Sequence, residues 1–147
     1  MTERRFPIRI GRRSRQFLRL AFGVTPERAY GAIDDERVWA RFGRFEVGTP
    51  LSNVARWRIE GPWRWFTAIG VRMNILRHDL SFAGSPRGGV RLDFTEPVHW
   101  HAFHLLALYV AVDDLEGFAA ALAVRGIPGE DGRAKQGDLT SGNDTIP

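Results

Sequence analysis

Three short stretches alternate apolar and polar side chains with period two, and this limits the chain to a sheet fold more firmly than any other feature. Val38, Ala40 and Phe42 alternate with Arg37, Trp39 and Arg41; Ala55, Trp57 and Ile59 alternate with Arg56 and Arg58; Val90, Leu92 and Phe94 alternate with Arg91 and Asp93. Successive side chains of a strand point to opposite faces, so each stretch makes one buried and one wet face. Turn chemistry separates the stretches at Asp34-Asp35-Glu36, Glu60-Gly61-Pro62 and Gly84-Ser85-Pro86-Arg87-Gly88-Gly89. The pattern predicts strands near 16–22, 28–34, 37–47, 53–60, 65–71, 78–83, 89–95 and 105–112. Joined by tight turns, they should form an antiparallel meander.

One helix is expected, and it comes last. Asp113 and Asp114 offer an N-cap, Glu116 stands three residues after Asp113 as in a capping box, and Leu115, Phe118, Ala119 and Leu122 make an apolar stripe. Arg125 in the last turn, Gly126 at a left-handed position, Ile127 placed to touch Leu122 and then Pro128 mark its end. The predicted fold is therefore mainly β: a bent antiparallel sheet or partly open barrel of about seven strands closed by one C-terminal amphipathic helix.

That element order resembles the bacterial pleckstrin-homology-like (PH-like) domain, in which a C-terminal helix plugs one open end of a strongly bent sheet. The stretch from Ala29 through Asp34-Asp35-Glu36 to Gly43 resembles the first hairpin of such domains, and Ala107 to Phe118 resembles their last strand running into the helix. The resemblance covers about 28–127 and extends to small proteins of high-GC bacteria, from which no activity carries over. The phrase Val112 to Phe118 with Arg125-Gly126-Ile127 also resembles a vicinal-oxygen-chelate half-unit, but that unit needs three more strands after its helix and only a polar tail follows. A helix-grip lipid-binding fold needs a much longer closing helix.

At 147 residues, one domain with a sizeable core fits and two do not. The expected organisation is a basic leader over 1–15, a single β-rich domain over 16–127 and a polar disordered tail over 128–147, where large apolar side chains are nearly absent. No continuous apolar run reaches the roughly 20 residues a membrane-spanning helix needs, and arginines break up the N-terminal apolar residues, so a cytoplasmic protein is expected. With no Cys, disulfides, thiolate metal sites and thiol nucleophiles are excluded.

Charge is distributed as a gradient: residues 1–20 carry +6, residues 21–110 carry +2 and residues 111–147 carry −4. Lys135 is the one lysine among 21 basic residues, a skew that fits a GC-rich bacterial genome. Its place in the polar tail argues against Schiff-base or phosphate-loop chemistry.

Three clusters could carry function. Arg56 and Arg58 with Trp63, Arg64 and Trp65 interleave guanidinium and indole groups, and any of them left exposed would mark a ligand or partner surface; the competing reading is core or rim packing at a barrel end. Arg9, Arg12, Arg13, Arg15 and Arg19 could contact an anionic surface, where each charge contributes on the order of 1 kcal/mol, or could be a solvated leader. His99, His101 and His104 lie within six residues; on a strand His99 and His101 would share a face and, with a third ligand, could hold an imidazole-preferring metal. The neighbouring Pro97 and the lack of a carboxylate at ligand spacing point instead to a surface loop. Inositol-phosphate binding of the eukaryotic kind is disfavoured, because the first-hairpin loop is acidic.

No G-x-S-x-G, phosphate loop or H-E-x-x-H is present, and Asp113-Asp114 is better explained by capping than by acid–base work. The expectation is a non-enzymatic binding or scaffolding module with no cofactor and a protein partner. The alternative is peripheral binding to an anionic membrane through the N-terminal arginines and the Trp-rich turn; a small barrel enzyme or metal-dependent binder is a third class. Nucleic acid is not expected as a partner, and the oligomeric state is open.

Overall fold

The computed structural model describes residues 3–11, 15–61, 70–74, 76–83 and 88–133. Among the described residues ten strands fall into two sheets, with no closed barrel. The first is an antiparallel meander of β1 (Arg4–Pro7), β2 (Ala29–Ile33), β3 (Arg37–Phe42) and β4 (Phe45–Pro50). The second contains β5 (Val54–Glu60), β6 (Gly70–Asn74), β7 (Asp79–Ala83), β8 (Gly89–Trp100), β9 (Phe103–Val110) and β10 (Gly129–Asp131), in the order β10-β5-β8-β9-β7-β6. Helix α1 spans Arg15–Phe22 and α2 spans Leu115–Ala123.

The mainly β character and the C-terminal helix agree with the sequence; the single meander does not. β7 runs parallel to β9, and β10 parallel to β5. Both pairings join segments far apart in sequence, which local turn signals do not encode.

Inward-facing alternation holds on β3 and β8 and is broken on β5. Val38, Ala40 and Phe42 on β3, and Val90, Leu92 and Phe94 on β8, belong to one buried cluster shared by both sheets. Phe42 stacks on Phe82 across the sheets at 5.7 Å. On β5 a bulge between Val54 and Arg56 leaves Ala55 exposed, so Val54 and Ile59 are both buried although five residues apart.

Two expected strands change form. Residues 16–22 are helical: Leu, Arg, Gln and Ala favour a helix, Leu18 is fully buried, and Gly23 ends it at φ 69° with its N–H donating to the Arg19 carbonyl. The run 37–47 is a hairpin, because Gly43 at φ 65° opens a two-residue turn that pairs Phe42 with Phe45. The strand expected at 65–71 is described only from Gly70 onward, as β6.

The domain limits drawn at 16 and 127 leave out two strands. β1 pairs with β2, and Phe6 and Ile8 are buried in the shared core, Phe6 edge-on to Phe118 at 5.1 Å. Gly129 of β10 lies on the Trp57 ring, whose Nε1 donates to the Ile127 carbonyl at 3.0 Å. A Cβ at Gly129 would fall 2.1 Å from that ring, so only glycine permits the approach. Residues 134–147 lie outside the described residues.

Helix α2 packs on β2, β5 and β8. Its N-cap is Asp114, whose carboxylate accepts from the Gly117 N–H at 3.0 Å, rather than Asp113 with Glu116 as a box. Glu116 pairs with Arg133 at 2.7 Å, and Asp113 with Arg9 at 2.9 Å. Gly126 takes φ 85° as expected, and Arg125 donates to the carbonyls of Ala121 and Asp34, tying the helix end to the β2–β3 turn.

Replacing Phe6 by Ala should cost roughly 3–5 kcal/mol of stability in urea unfolding, the usual range for a buried Phe. Arg4→Ala, at an exposed position of the same strand, should change it by less than about 0.5 kcal/mol. Equal, small effects would mean that residues 1–15 are a leader and not part of the core.

Candidate functional site

The residues marked in the sequence separate into three places. Arg56 and Arg58 lie on the outer face of the second sheet, where the register aligns Glu130, Arg58, Arg91, Tyr109, Ser81 and Arg72 across its six strands. Arg56 donates to Asp93 at 2.9 Å, while Arg91 donates to Asp93 at 3.0 Å and to the buried Asp79 at 2.9 Å. Arg58 stands 3.8 Å from Glu60 and 3.7 Å from Glu130. Burial holds the Glu60 carboxyl above its ordinary value, opposed by the charges of Arg91 and Arg58. Its three guanidiniums are thus each set against carboxylates of the same sheet face. Trp63, Arg64 and Trp65 lie outside the described residues.

The N-terminal arginines divide as well. Arg9 is committed to Asp113, and its N–H donates to the Ala111 carbonyl. Arg15 and Arg19 are exposed on α1, one turn apart, beside the exposed Leu20. Arg12 and Arg13 lie outside the described residues.

The histidines are on a hairpin, not a loop. β8 runs on past Pro97 to Trp100, turns at His101 and Ala102, and returns as β9. His101 sits in the turn at φ 54°, which breaks the alternation that would have put it on a face with His99. The register instead sets His99 opposite His104, ring centroids 4.3 Å apart, and Trp100 opposite Phe103. His101 packs edge-on to Trp100 at 4.5 Å and to Phe45 at 6.5 Å. Among the described residues no group of three or more His, Asp or Glu side chains could hold a metal ion, so the trio does not assemble as one site.

What the hairpin does assemble is an aromatic end. Trp100 donates its Nε1–H to the Glu46 carbonyl at 3.1 Å and packs against Phe45 at 5.9 Å and Phe103 at 6.4 Å. Phe45 stands just past the β3–β4 turn, so two hairpin tips, one from each sheet, meet here. The β6–β7 turn joins them from the side: the Leu106 N–H donates to the His78 carbonyl at 2.6 Å. Asn74 shapes that turn by accepting from the N–H groups of Leu76 and Arg77 at 3.1 Å each. Leu76 is consequently 93% exposed, Leu106 44% and Phe103 36%, while Phe45 and Trp100 are half-buried.

All four histidines of the chain thus gather at one end of the second sheet, and α2 packs toward the other, near Gly88. Among the described residues the only non-glycine residues with positive φ are two of them, His78 at 57° and His101 at 54°. Such strain in ordinary side chains concentrates at functional positions.

Sequence reasoning found the histidines but missed Phe45, Leu76, His78, Phe103 and Leu106. The signal available was the alternation His99-Trp100 and Phe103-His104 about a two-residue centre, which lacks the glycine that usually advertises a hairpin. No family model, no curated protein and no solved structure matches the chain.

Relief of the strain at His78 gives a direct check. His78→Gly should raise stability by roughly 0.5–1 kcal/mol in urea unfolding, since glycine takes positive φ without steric cost. A loss of similar size would show that the His78 side chain stabilises the turn it occupies.

Proposed function

We propose that the protein is a cytoplasmic, non-enzymatic binding module on a PH-like plan, and that it holds a protein partner at its aromatic end. The four-stranded meander, the second sheet and the C-terminal helix support the plan; the parallel pairs β7–β9 and β10–β5 are its departures from a simple meander. The observation that carries the binding role is the exposure of Phe103 against the half-buried Trp100 and Phe45, with Leu76 exposed in the β6–β7 turn and Leu106 exposed on the His104 face of β9. An indole pinned by a hydrogen bond and by two neighbouring rings loses little freedom on binding, which is how aromatic anchors dominate protein interfaces. Arg44 and Arg77, both exposed, stand at the margin and suit a partner carrying carboxylates around an apolar centre.

A second reading, an anionic membrane surface, rests on the exposed Arg15, Arg19 and Leu20 of α1. Among the described residues no helix is long and apolar enough to cross a membrane.

A photo-cross-linking residue placed at 103, and at 124 as an apolar exposed control (79%), separates the readings inside the native cell. A discrete protein adduct from position 103, with none from 124, is expected, and Trp100→Ala should reduce it at least tenfold. Adducts of equal yield at both positions would refute the aromatic end as the binding surface. Salt-sensitive sedimentation with anionic vesicles that is lost in Arg15→Ala/Arg19→Ala, with no adduct at 103, would favour the membrane instead.

A further inference from the structure

We propose that His99 and His104 form a two-imidazole chelating site for a divalent transition-metal ion of the Zn²⁺, Ni²⁺ or Cu²⁺ class, independent of whether a protein partner binds the aromatic end. The argument begins with the turn. A two-residue loop at His101 and Ala102 makes Trp100 and Phe103 the pair that closes it, and such a closing pair exchanges backbone hydrogen bonds. The next pair out, His99 and His104, is then a non-hydrogen-bonded pair, the kind whose Cα atoms come closest, about 4.5 Å apart. Ring centroids 4.3 Å apart agree with that placement.

Face follows from position. Trp100 and Val98 pack against the core, so His99, between them, and its partner His104 lie on the opposite face of the hairpin. Both are exposed, which leaves each ring free to turn its nitrogen toward a common ion. Two imidazoles suit ions with a preference for nitrogen donors, and the β-ladder holds their backbones in place before the ion arrives. The remaining coordination positions belong to water or to a donor from another molecule, consistent with the absence of a third protein ligand among the described residues. His101 is excluded, since its place in the turn sets it against Phe45 and Trp100. His78 enters the same end through its carbonyl and is the second control.

The test is calorimetric titration of the untagged full chain with Zn²⁺ and, separately, Ni²⁺, with circular dichroism to confirm that each variant is folded. One ion per chain is expected. His99→Gln and His104→Gln should each weaken binding by at least the roughly 10–100-fold that follows loss even of a group behind a ligand, and the double variant, which keeps neither imidazole, should bind more weakly than either single one. His78→Gln and His101→Gln should stay within about twofold of the parent. Equal losses from all four substitutions would show scattered binding to surface histidines and overturn the site. So would tight binding that survives His99→Gln and His104→Gln, or no heat of binding in the parent chain.

Discussion

The two sheets enclose one core because the backbone of a single segment, Pro7 to Arg9, is hydrogen-bonded alternately to both. Ile8 donates to the Ala29 carbonyl of β2, whereas Arg9 donates to the Ala111 carbonyl, and the Pro7 carbonyl accepts from Asp113. An edge strand leaves a row of polar groups to be satisfied, and here the row beyond β1 is taken up by Ala111 to Asp113, the residues that follow β9, with Ile8 bridged to Val112. Phe6 and Ile8 are carried into the core by the same arrangement, and Phe6 reaches α2 through Phe118. The opposite charges at the two ends of the sequence, which suggest a footprint for an outside partner, are in part spent within the fold: Arg9 pairs with Asp113 across this seam.

The other side of the molecule is joined differently. Between β4 and the long arm of β8 the described contacts run through side chains: the Asn53 amide donates to the Glu96 carbonyl and accepts from the Glu96 N–H, and Trp100 reaches the Glu46 carbonyl. A side chain standing in for a strand neighbour satisfies the backbone without continuing the ladder, so among the described residues the strands stay in two sheets here. The arm beyond Asn53 is then free to project, and the aromatic and histidine side chains are found on it. One face of the arm supports the apolar cluster with Phe45, and the other presents the facing imidazoles.

How much of this was legible depended on whether the deciding signal was local. The helix over 115–123 carried an apolar stripe, an Asp cap and a Gly126 stop within a dozen residues, and its limits were readable. Gly23 gives the same stop for α1, but the arginines alternating with apolar residues before it read equally well as a strand, and burial of Leu18 decides the matter. Gly43 is a turn signal inside what reads as one long strand, and the bulge at Ala55 changes which side chains face inward without any mark in the sequence. The parallel pairings and the seam at Pro7–Arg9 join residues far apart in sequence, Arg9 and Asp113 being 104 positions apart, beyond the reach of periodicity. At the candidate site the histidines stood out by composition, while their pairing depended on a turn centred on His101, a residue with no turn preference to announce it.

Amide hydrogen exchange of the full chain, resolved residue by residue, tests the central claim most directly. If one segment holds the two sheets on a common core, the amides of Ile8, Arg9 and Asp113 exchange as slowly as those of buried strand residues such as Leu92 and Leu108, and their protection is lost together on global unfolding. Exchange of Ile8 and Arg9 at the rate of an unstructured chain, with Leu92 and Leu108 still protected, would contradict it.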